Sequence, residues 1–310
     1  LACCPFHKDK TPSMKMDKRS FMNINLELYR AFYYVAVTLS FSEASRQLYI
    51  SQSAVSQSVK TLEKKLGRQL FIRSTKKVTL TPDGELLLSH IEPAIRMITE
   101  GEALLTHEDS IQGQLRIGAS DTICRYFLLD YLKQFHQDYP DVQIQVTNST
   151  SIGCAKLLDN GQVDFIISNF PNSYLNASHP RIPLREFQDV FTAHPSCFPL
   201  DSRTLSLKEL LDYPILTLTK HSVTSEYLYE HFQNHGLKLV PEVELSSNDL
   251  LVDMAQIGLG IAFVPDYMLK KNTELISLSI QEPLPPRKLV LVHPKSGHMT
   301  PVAEKFMEYF

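Results

Sequence analysis

The chain is predicted to be mixed α/β: a small helical module, then one long helix, then a two-lobed α/β domain. Three observations carry this expectation. Apolar residues recur at helical spacing from Leu26 to Leu66, one narrow stripe continues from Leu88 to Leu105, and from Gln114 short apolar runs alternate with helical stretches. A length of 310 residues suits two or three domains. With 43% hydrophobic and 21% charged residues, the composition is globular and excludes a fibre, a rod or wholesale disorder. No apolar run approaches the roughly 18 residues a membrane-spanning helix needs. The five cysteines (3, 4, 124, 154 and 197) are an odd and sparse set, which argues against a secreted disulfide framework. The start, Leu1-Ala2-Cys3-Cys4-Pro5-Phe6-His7, has no signal-peptide pattern, so a cytoplasmic location is expected.

Net charge is −3, yet it is unevenly spread. Between Ser42 and Pro82 stand Arg46, Lys60, Lys64, Lys65, Arg68, Arg73, Lys76 and Lys77 against Glu43 and Glu63, a local +6. Such a block suits a nucleic-acid contact or a solvated face, and its place on the predicted elements decides between them. Leu26, Leu28, Ala31, Phe32, Val35, Ala36 and Leu39 make residues 25–39 an amphipathic helix. Ser42 is the expected N-cap of a short second helix, and Ser51 of a third. In the third, Ala54, Val55, Val59, Leu62 and Leu66 form the buried stripe, and Gly67 is the stop signal. Its other face presents Gln52, Ser53, Ser56, Gln57, Lys60 and Lys64. Two short helices with a tight turn and polar residues opening the second are helix-turn-helix patterning. Gln and Ser can read base edges, whereas Lys reaches phosphates. Residues 69–73 and 78–80 alternate like two short strands around Ser74-Thr75-Lys76-Lys77, a basic wing.

The segment FYYVAVTLSFSEASRQLYISQSAVSQSVKTLEKKLGRQLFIRSTKKVTLTPDGELLL resembles the LysR-type transcriptional regulators. Ser-Phe-Ser-Glu-Ala, Ser-Gln-x-Ala-Val-Ser, Leu-Glu-x-x-Leu-Gly, Leu-Phe-x-Arg and Leu-Thr-Pro-x-Gly follow one another in fixed order over about sixty residues. Ser53 stands where that family usually has Pro, a residue favoured but not required in a first helical turn. Carried over position by position, the resemblance makes Gln52, Ser53, Ser56 and Gln57 base readers. Ser51, Lys60 and Arg73 become backbone anchors, with Lys76 and Lys77 on the wing. It further implies double-stranded operator DNA, a small-molecule effector, self-association into dimers or tetramers, and RNA polymerase as partners. Neither a cofactor nor a metal is expected, nor any membrane association or enzymatic activity.

Thr81-Pro82-Asp83-Gly84-Glu85 reads as a helix start, with Thr as cap, Pro at the first position and acids at the positive end of the dipole. Leu88, Ile91, Ile95, Ile98 and Leu105 give the helix a stripe with no obvious local cover, and Pro93 should kink it. The resemblance supplies the cover: the same helix of a second subunit. From Gln114 the rhythm is β-α-β-α-β. Strands are predicted at 115–119, 142–146 and 163–167, with helices near 123–138 and 151–160. A second series follows from Asp189 to Pro265, with a late strand at 289–292 and a final helix at 301–310. A chain that returns late to its first sheet builds a two-lobed, periplasmic-binding-protein-like domain. The expected divisions are a winged helix-turn-helix at 22–81, a linker helix at 82–112 and an effector-binding domain at 113–310. Its lobe 1 would take about 113–187 and 288–310, its lobe 2 about 188–287.

Ligands of open α/β sheets sit beyond the carboxyl ends of strands, at helix starts. Those ends are Ser120-Asp121-Thr122, Asn148-Ser149-Thr150-Ser151, Ser168-Asn169, Thr219-Lys220-His221-Ser222 and Ser246-Ser247-Asn248. Any one of them is also an ordinary helix cap, but five converging on a cleft suit a carboxylate, sulfate or phosphate group. Ser120, Thr122, Ser149, Ser168 and Thr219 are the candidate effector contacts. Asp121 is out of place for an anion site. It would either pair with Arg125, one turn along the helix, or select an amine on the ligand.

Residues 1–21 stand outside this plan. Cys4-Pro5-Phe6-His7-Lys8-Asp9-Lys10-Thr11-Pro12-Ser13-Met14 resembles the first half of the zinc ribbon of bacterial DNA primases. No Cys-x-x-Cys follows to complete a tetrahedral site. These residues are therefore expected to be an appended, disordered fragment. The competing readings are a zinc clasp between subunits or a primase-related zinc-dependent nucleic-acid enzyme, the latter argued by residues 3–14 alone.

Overall fold

The computed structural model describes residues 24–73, 77–105, 113–295 and 299–310. The half zinc ribbon and Lys76 lie outside them. The chain divides into two compact units, Leu1–Ile98 and Thr99–Phe310.

In the first unit, helices α1 (Leu26–Thr38), α2 (Phe41–Gln47) and α3 (Gln52–Leu66) precede a hairpin of β1 (Phe71–Arg73) and β2 (Val78–Leu80), paired antiparallel about Ile72 and Thr79. The cap of α2 is Ser40, not the expected Ser42: Ser40 accepts from the Glu43 amide at 3.2 Å. A left-handed Leu39 (φ 50) ends α1 and throws Ser40 into the extended conformation a cap requires, which leaves Ser42 inside the first turn. Ser51 caps α3 and left-handed Gly67 (φ 65) ends it, both as expected. Phe32, Val35, Val55, Val59, Leu62, Leu70 and Phe71 form the core, while Ala54 of the expected stripe is exposed. Thr81 accepts from the Gly84 amide at 3.0 Å and opens α4 (Pro82–Leu105). Leu87, Leu88 and Ile91 of α4 pack on that core, and the helix continues through Pro93.

The second unit holds two five-stranded sheets. Lobe 1 contains β3 (Gln114–Ala119), α5 (Asp121–Ile123), a π-helical turn (Cys124–Leu128) and α6 (Leu129–Asp138). It continues with β4 (Gln143–Asn148), α7 (Ser151–Asp159), β5 (Phe165–Phe170) and β6 (Arg181–Phe187). Lobe 2 contains β7 (Asp189–Ala193), β8 (Thr204–Leu205), α8 (Leu207–Leu210), β9 (Ile215–Leu218), α9 (Val223–Asn234) and β10 (Val243–Leu245). It closes with α10 (Asn248–Gln256), β11 (Ile261–Pro265), a 3-10 turn (Asp266–Lys271), β12 (Ile276–Ser277) and β13 (Ser279–Ile280). The chain then returns to lobe 1 as β14 (Arg287–Val292) and ends in α11 (Pro301–Met307). The sheet orders are β4-β3-β5-β14-β6 and β10-β9-β11-β7-β12. β3 lies parallel to β4 and β5, β9 lies parallel to β10 and β11, and β14 and β7 run antiparallel to their neighbours.

The edge strand β6 is absent from the sequence expectation because Pro183 interrupts its pattern. An edge tolerates a residue without an N–H, and the ladder to β14 shifts register beside it, between Leu289 and Val290. The lobes join at two neighbouring crossings, Phe187 to Asp189 outward and Arg287 on the return, and Arg287 pairs with Phe187 in the sheet.

Candidate DNA interface and effector cavity

Helix α3 sends Val55, Val59 and Leu62 inward, so its 3.6-residue period turns Gln52, Ser53, Gln57, Lys60 and Lys64 to the surface, with Ser56 half-buried. The Ser51 hydroxyl is spent on the cap, accepting from the Ala54 amide at 3.2 Å, and lies 2.9 Å from the Ser53 hydroxyl. Arg73 is tied down locally. It donates to Glu63 at 3.2 Å and to Ser56 at 3.4 Å, and its guanidinium lies 4.7 Å from the centre of the Phe41 ring. Glu63, which sequence reasoning passed over, is the staple of the module. Its other oxygen accepts from the amides of Leu70 (2.9 Å) and Phe71 (3.3 Å), fixing the wing strand against α3. The signal was present in the Leu-Glu-x-x-Leu-Gly exit. Lys77 is exposed at the foot of the wing.

Between the lobes lies a cavity of about 200 Å³. Its wall collects Ser120, Asp121 and Thr122 after β3, Asn148 to Ser151 after β4, and Asn169 from β5. Lobe 2 adds Thr219 and Ser222 to Thr224 after β9, Ser246 to Asn248 after β10, and Tyr267 after β11. Four expected contacts, Ser120, Thr122, Ser149 and Thr219, thus come together in one wall. Ser168 does not. Along β5 the side chains alternate: Ser168 shares a face with Ile166, under α7, and Asn169 shares one with Phe165 and Ile167. Ser168 is fully buried, donating to the Asn169 carbonyl and accepting from Asn172 at 3.1 Å, so the cavity residue of this pair is Asn169.

Several wall hydroxyls also serve as helix caps, with Ser120, Thr150, Ser222 and Ser247 accepting from the helices they open. Polar links cross between lobes: Asn248 donates to Thr122 at 2.9 Å, Tyr126 to Asp249 at 2.6 Å, and Asn169 to Thr224 at 3.4 Å. Arg125 pairs with Asp249 at 3.5 Å rather than with Asp121, which accepts instead from Asn148 at 3.1 Å. Behind Thr224 lies a fully buried ion pair: Arg287 donates to Asp189 at 2.7 Å and to Thr224 at 3.2 Å. Burial pushes the Asp189 carboxyl up and the adjacent guanidinium pulls it down. Thr224, Tyr267 and this pair escaped sequence reasoning, since nothing local marks residues 98 positions apart as partners. Burial raises the Cys124 thiol to about 11, helped by Asp121, and the Cys154 thiol to about 12, so neither is a thiolate at neutral pH. Among the described residues no group of three or more His, Cys, Asp or Glu could hold a metal ion.

Residues 26–85 match the family model "Bacterial regulatory helix-turn-helix protein, lysR family", and residues 108–310 match "LysR substrate binding domain". The chain belongs to the LysR-type transcriptional regulators. Among curated relatives of this regulator, the probable RuBisCO transcriptional regulator of Synechocystis sp. is 31% identical, over 82% of this chain and 75% of its own. A full-length single-residue variant of OxyR from Pseudomonas aeruginosa has the same fold, with a TM-score of 0.71 over 92% of each chain at 21% identity. The regulatory domain of Synechocystis PCC6803 CcmR, solved in complex with 2-PG, covers 64% of this chain and 95% of its own, with a TM-score of 0.59 at 22% identity. No described helix of the regulator is long and apolar enough to cross a membrane.

Proposed function

We propose that the regulator reads an interrupted palindrome with α3 of two subunits paired through the linker helix, and that a small metabolite with an anionic group, bound between the lobes, alters its grip on the promoter. Gln52, Ser53, Ser56 and Gln57 read base edges in this scheme. Lys60, Lys77 and Lys76 hold phosphates, while Ser51 and Arg73 chiefly shape the surface they support. Ser120, Thr122, Ser149, Thr219 and Asn169 contact the effector. The supporting observation is the convergence of six strand ends, far apart in sequence, on one cavity lined largely by hydroxyl and amide residues. The protein acts in the cytoplasm, and RNA polymerase is the partner through which it changes transcription.

Sites selected from random duplex DNA supply the test. Gln57→Ala should weaken selected over scrambled sequence by about 1–3 kcal/mol. Lys60→Ala should weaken both alike and reduce the salt slope by about one. Unchanged affinity in both variants at fixed salt refutes the assignment of α3.

A further inference from the structure

The cavity has an electrostatic composition that a simple anion does not explain. Among its described lining residues there is no Lys, Arg or His, and the one acidic side chain is Asp121. Burial pushes the Tyr267 phenol upward, which keeps it neutral. One Asp121 oxygen accepts from the Asn148 amide at 3.1 Å, and the nearby cation, Arg125, is engaged by Asp249 at 3.5 Å. Among the described residues no cation pairs with Asp121. An acid at this place does favour the start of its own helix, yet that accounts for its presence on the helix and not for its exposure in the cavity wall.

Positive potential is supplied by backbone instead. Helices α7, α9 and α10, of 9, 12 and 9 residues, all begin in the wall, at the caps Thr150, Ser222 and Ser247. Each start contributes roughly half a positive charge and amide groups without intrahelical partners. The wall also holds polar groups awaiting a partner. Asn169 is 8% and Tyr267 3% exposed, and the Asn169 Oδ1 and Tyr267 Oη atoms have no hydrogen-bond partner among the described residues. Buried polar groups of this kind are normally satisfied. A negative side chain and three positive helix starts around one small volume are complementary to a molecule carrying both signs.

We propose that the effector is a dipolar small molecule, an acid that also bears an amine, whose ammonium group pairs with Asp121 while its anionic group lies at the starts of α7, α9 and α10. The inference rests on the reading of this cavity as the effector site and names the ligand class that site selects. A plain dianion would meet Asp121 with no cation among the described lining residues to offset it, whereas an amino acid or amino-acid phosphate converts that repulsion into an ion pair.

The full-length protein can be titrated, by thermal shift and calorimetry, with pairs matched except for the amine: L-serine and glycerate, aspartate and malate, O-phosphoserine and 3-phosphoglycerate. The expected result is that the amine-bearing member of at least one pair binds tenfold or more tightly than its hydroxy-acid partner. Asp121→Asn should erase that gap, and Asp121→Glu, which keeps the charge, should retain most of it, separating an effect of charge from one of folding. Hydroxy acids that bind as well as their amine partners, or a gap that persists in Asp121→Asn, overturn the proposal and leave the anion-binding reading of the cavity intact. If none of the six binds the wild-type protein, both fall.

Discussion

Replacing Asp189 by Asn removes one charge from the junction of the lobes and leaves Arg287 buried without its counter-ion. Both side chains are fully inaccessible, 2.7 Å apart, on strands that carry the chain from one lobe to the other. At an effective dielectric of about 20, unit charges about 4 Å apart attract by about 4 kcal/mol. An Asn carbonyl still accepts one charge-assisted hydrogen bond, so part of that is retained. The Phe187 and Tyr227 faces, 5.6 and 4.8 Å from the guanidinium, stay in place in both proteins and cancel in the comparison. A loss of about 3 kcal/mol results, in the range found when one partner of a buried pair is removed. With a urea slope of about 2–3 kcal/mol per molar, the midpoint should fall by about 1 M. The chain has no tryptophan, so indole fluorescence is silent. Pulse-labelling hydrogen exchange along the urea titration reads peptides of β7 and β14 apart from those of α1 to α3. The first set should shift and the second should not. Replacing both partners, Asp189→Leu with Arg287→Met, should recover most of the loss, because an apolar pair leaves no orphan charge. A midpoint change below about 0.3 M, or a double variant no better than the single one, refutes the reasoning.

Two further perturbations probe local construction. A Cβ on Gly84 would lie 2.2 Å from the Leu70 carbonyl oxygen and 2.9 Å from Leu80 Cδ2. Since that carbonyl already accepts from the Thr81 amide, Gly84→Ala should push α4 off the wing, cost about 1–3 kcal/mol in thermal unfolding of the first unit and weaken DNA binding. Glu209 is held below its ordinary 4.5 by the Ser206 amide first and the Ser206 hydroxyl second. Glu209 and Ser206, the cap of α8, form a capping box in which each side chain accepts from the other's amide. A lowered folded-state pKa means that this box stabilises fully above the unfolded value and loses its effect as pH falls through the folded one. In an NMR titration, Ser206→Ala should move the Glu209 pKa partway back towards 4.5, and an unmoved value would exclude the hydroxyl as a cause.

The winged module was legible because its signals are local. Ser51, Gly67 and Thr81 act through neighbours three or four residues away, so sequence spacing states the geometry directly. The cap of α2 shows where that fails: Ser40 and Ser42 stand two residues apart at its start, and the backbone of Leu39 makes Ser40 the cap and leaves Ser42 in the first turn. In the effector domain the strand ends were readable as a set but the face of each residue was not. A one-residue step along β5 exchanges Ser168 for Asn169, and the run Ile166 to Asn169 is buried on both faces, which removes the alternation that would have decided it. The Arg287–Asp189 pair lay beyond local reading altogether. It exists because two crossings of the chain meet, a property of topology.

The same distinction bears on the basic block. Its two acids are both consumed internally, Glu43 by Arg46 at 2.7 Å and Glu63 by Arg73 at 3.2 Å. Setting those pairs aside leaves Lys60, Lys64, Lys65, Arg68, Lys76 and Lys77 as the source of the local +6, with Arg68 3.7 Å from Asp83 just outside the block. Five of the six are lysines, compact charges on flexible stems that suit phosphates and lack the planar fork of a bidentate base reader. On the reading proposed above, affinity and sequence choice are separable on this surface: the lysines supply a salt-dependent hold that any duplex satisfies, and discrimination falls to the uncharged Gln52, Ser53, Ser56 and Gln57 at the opening of α3.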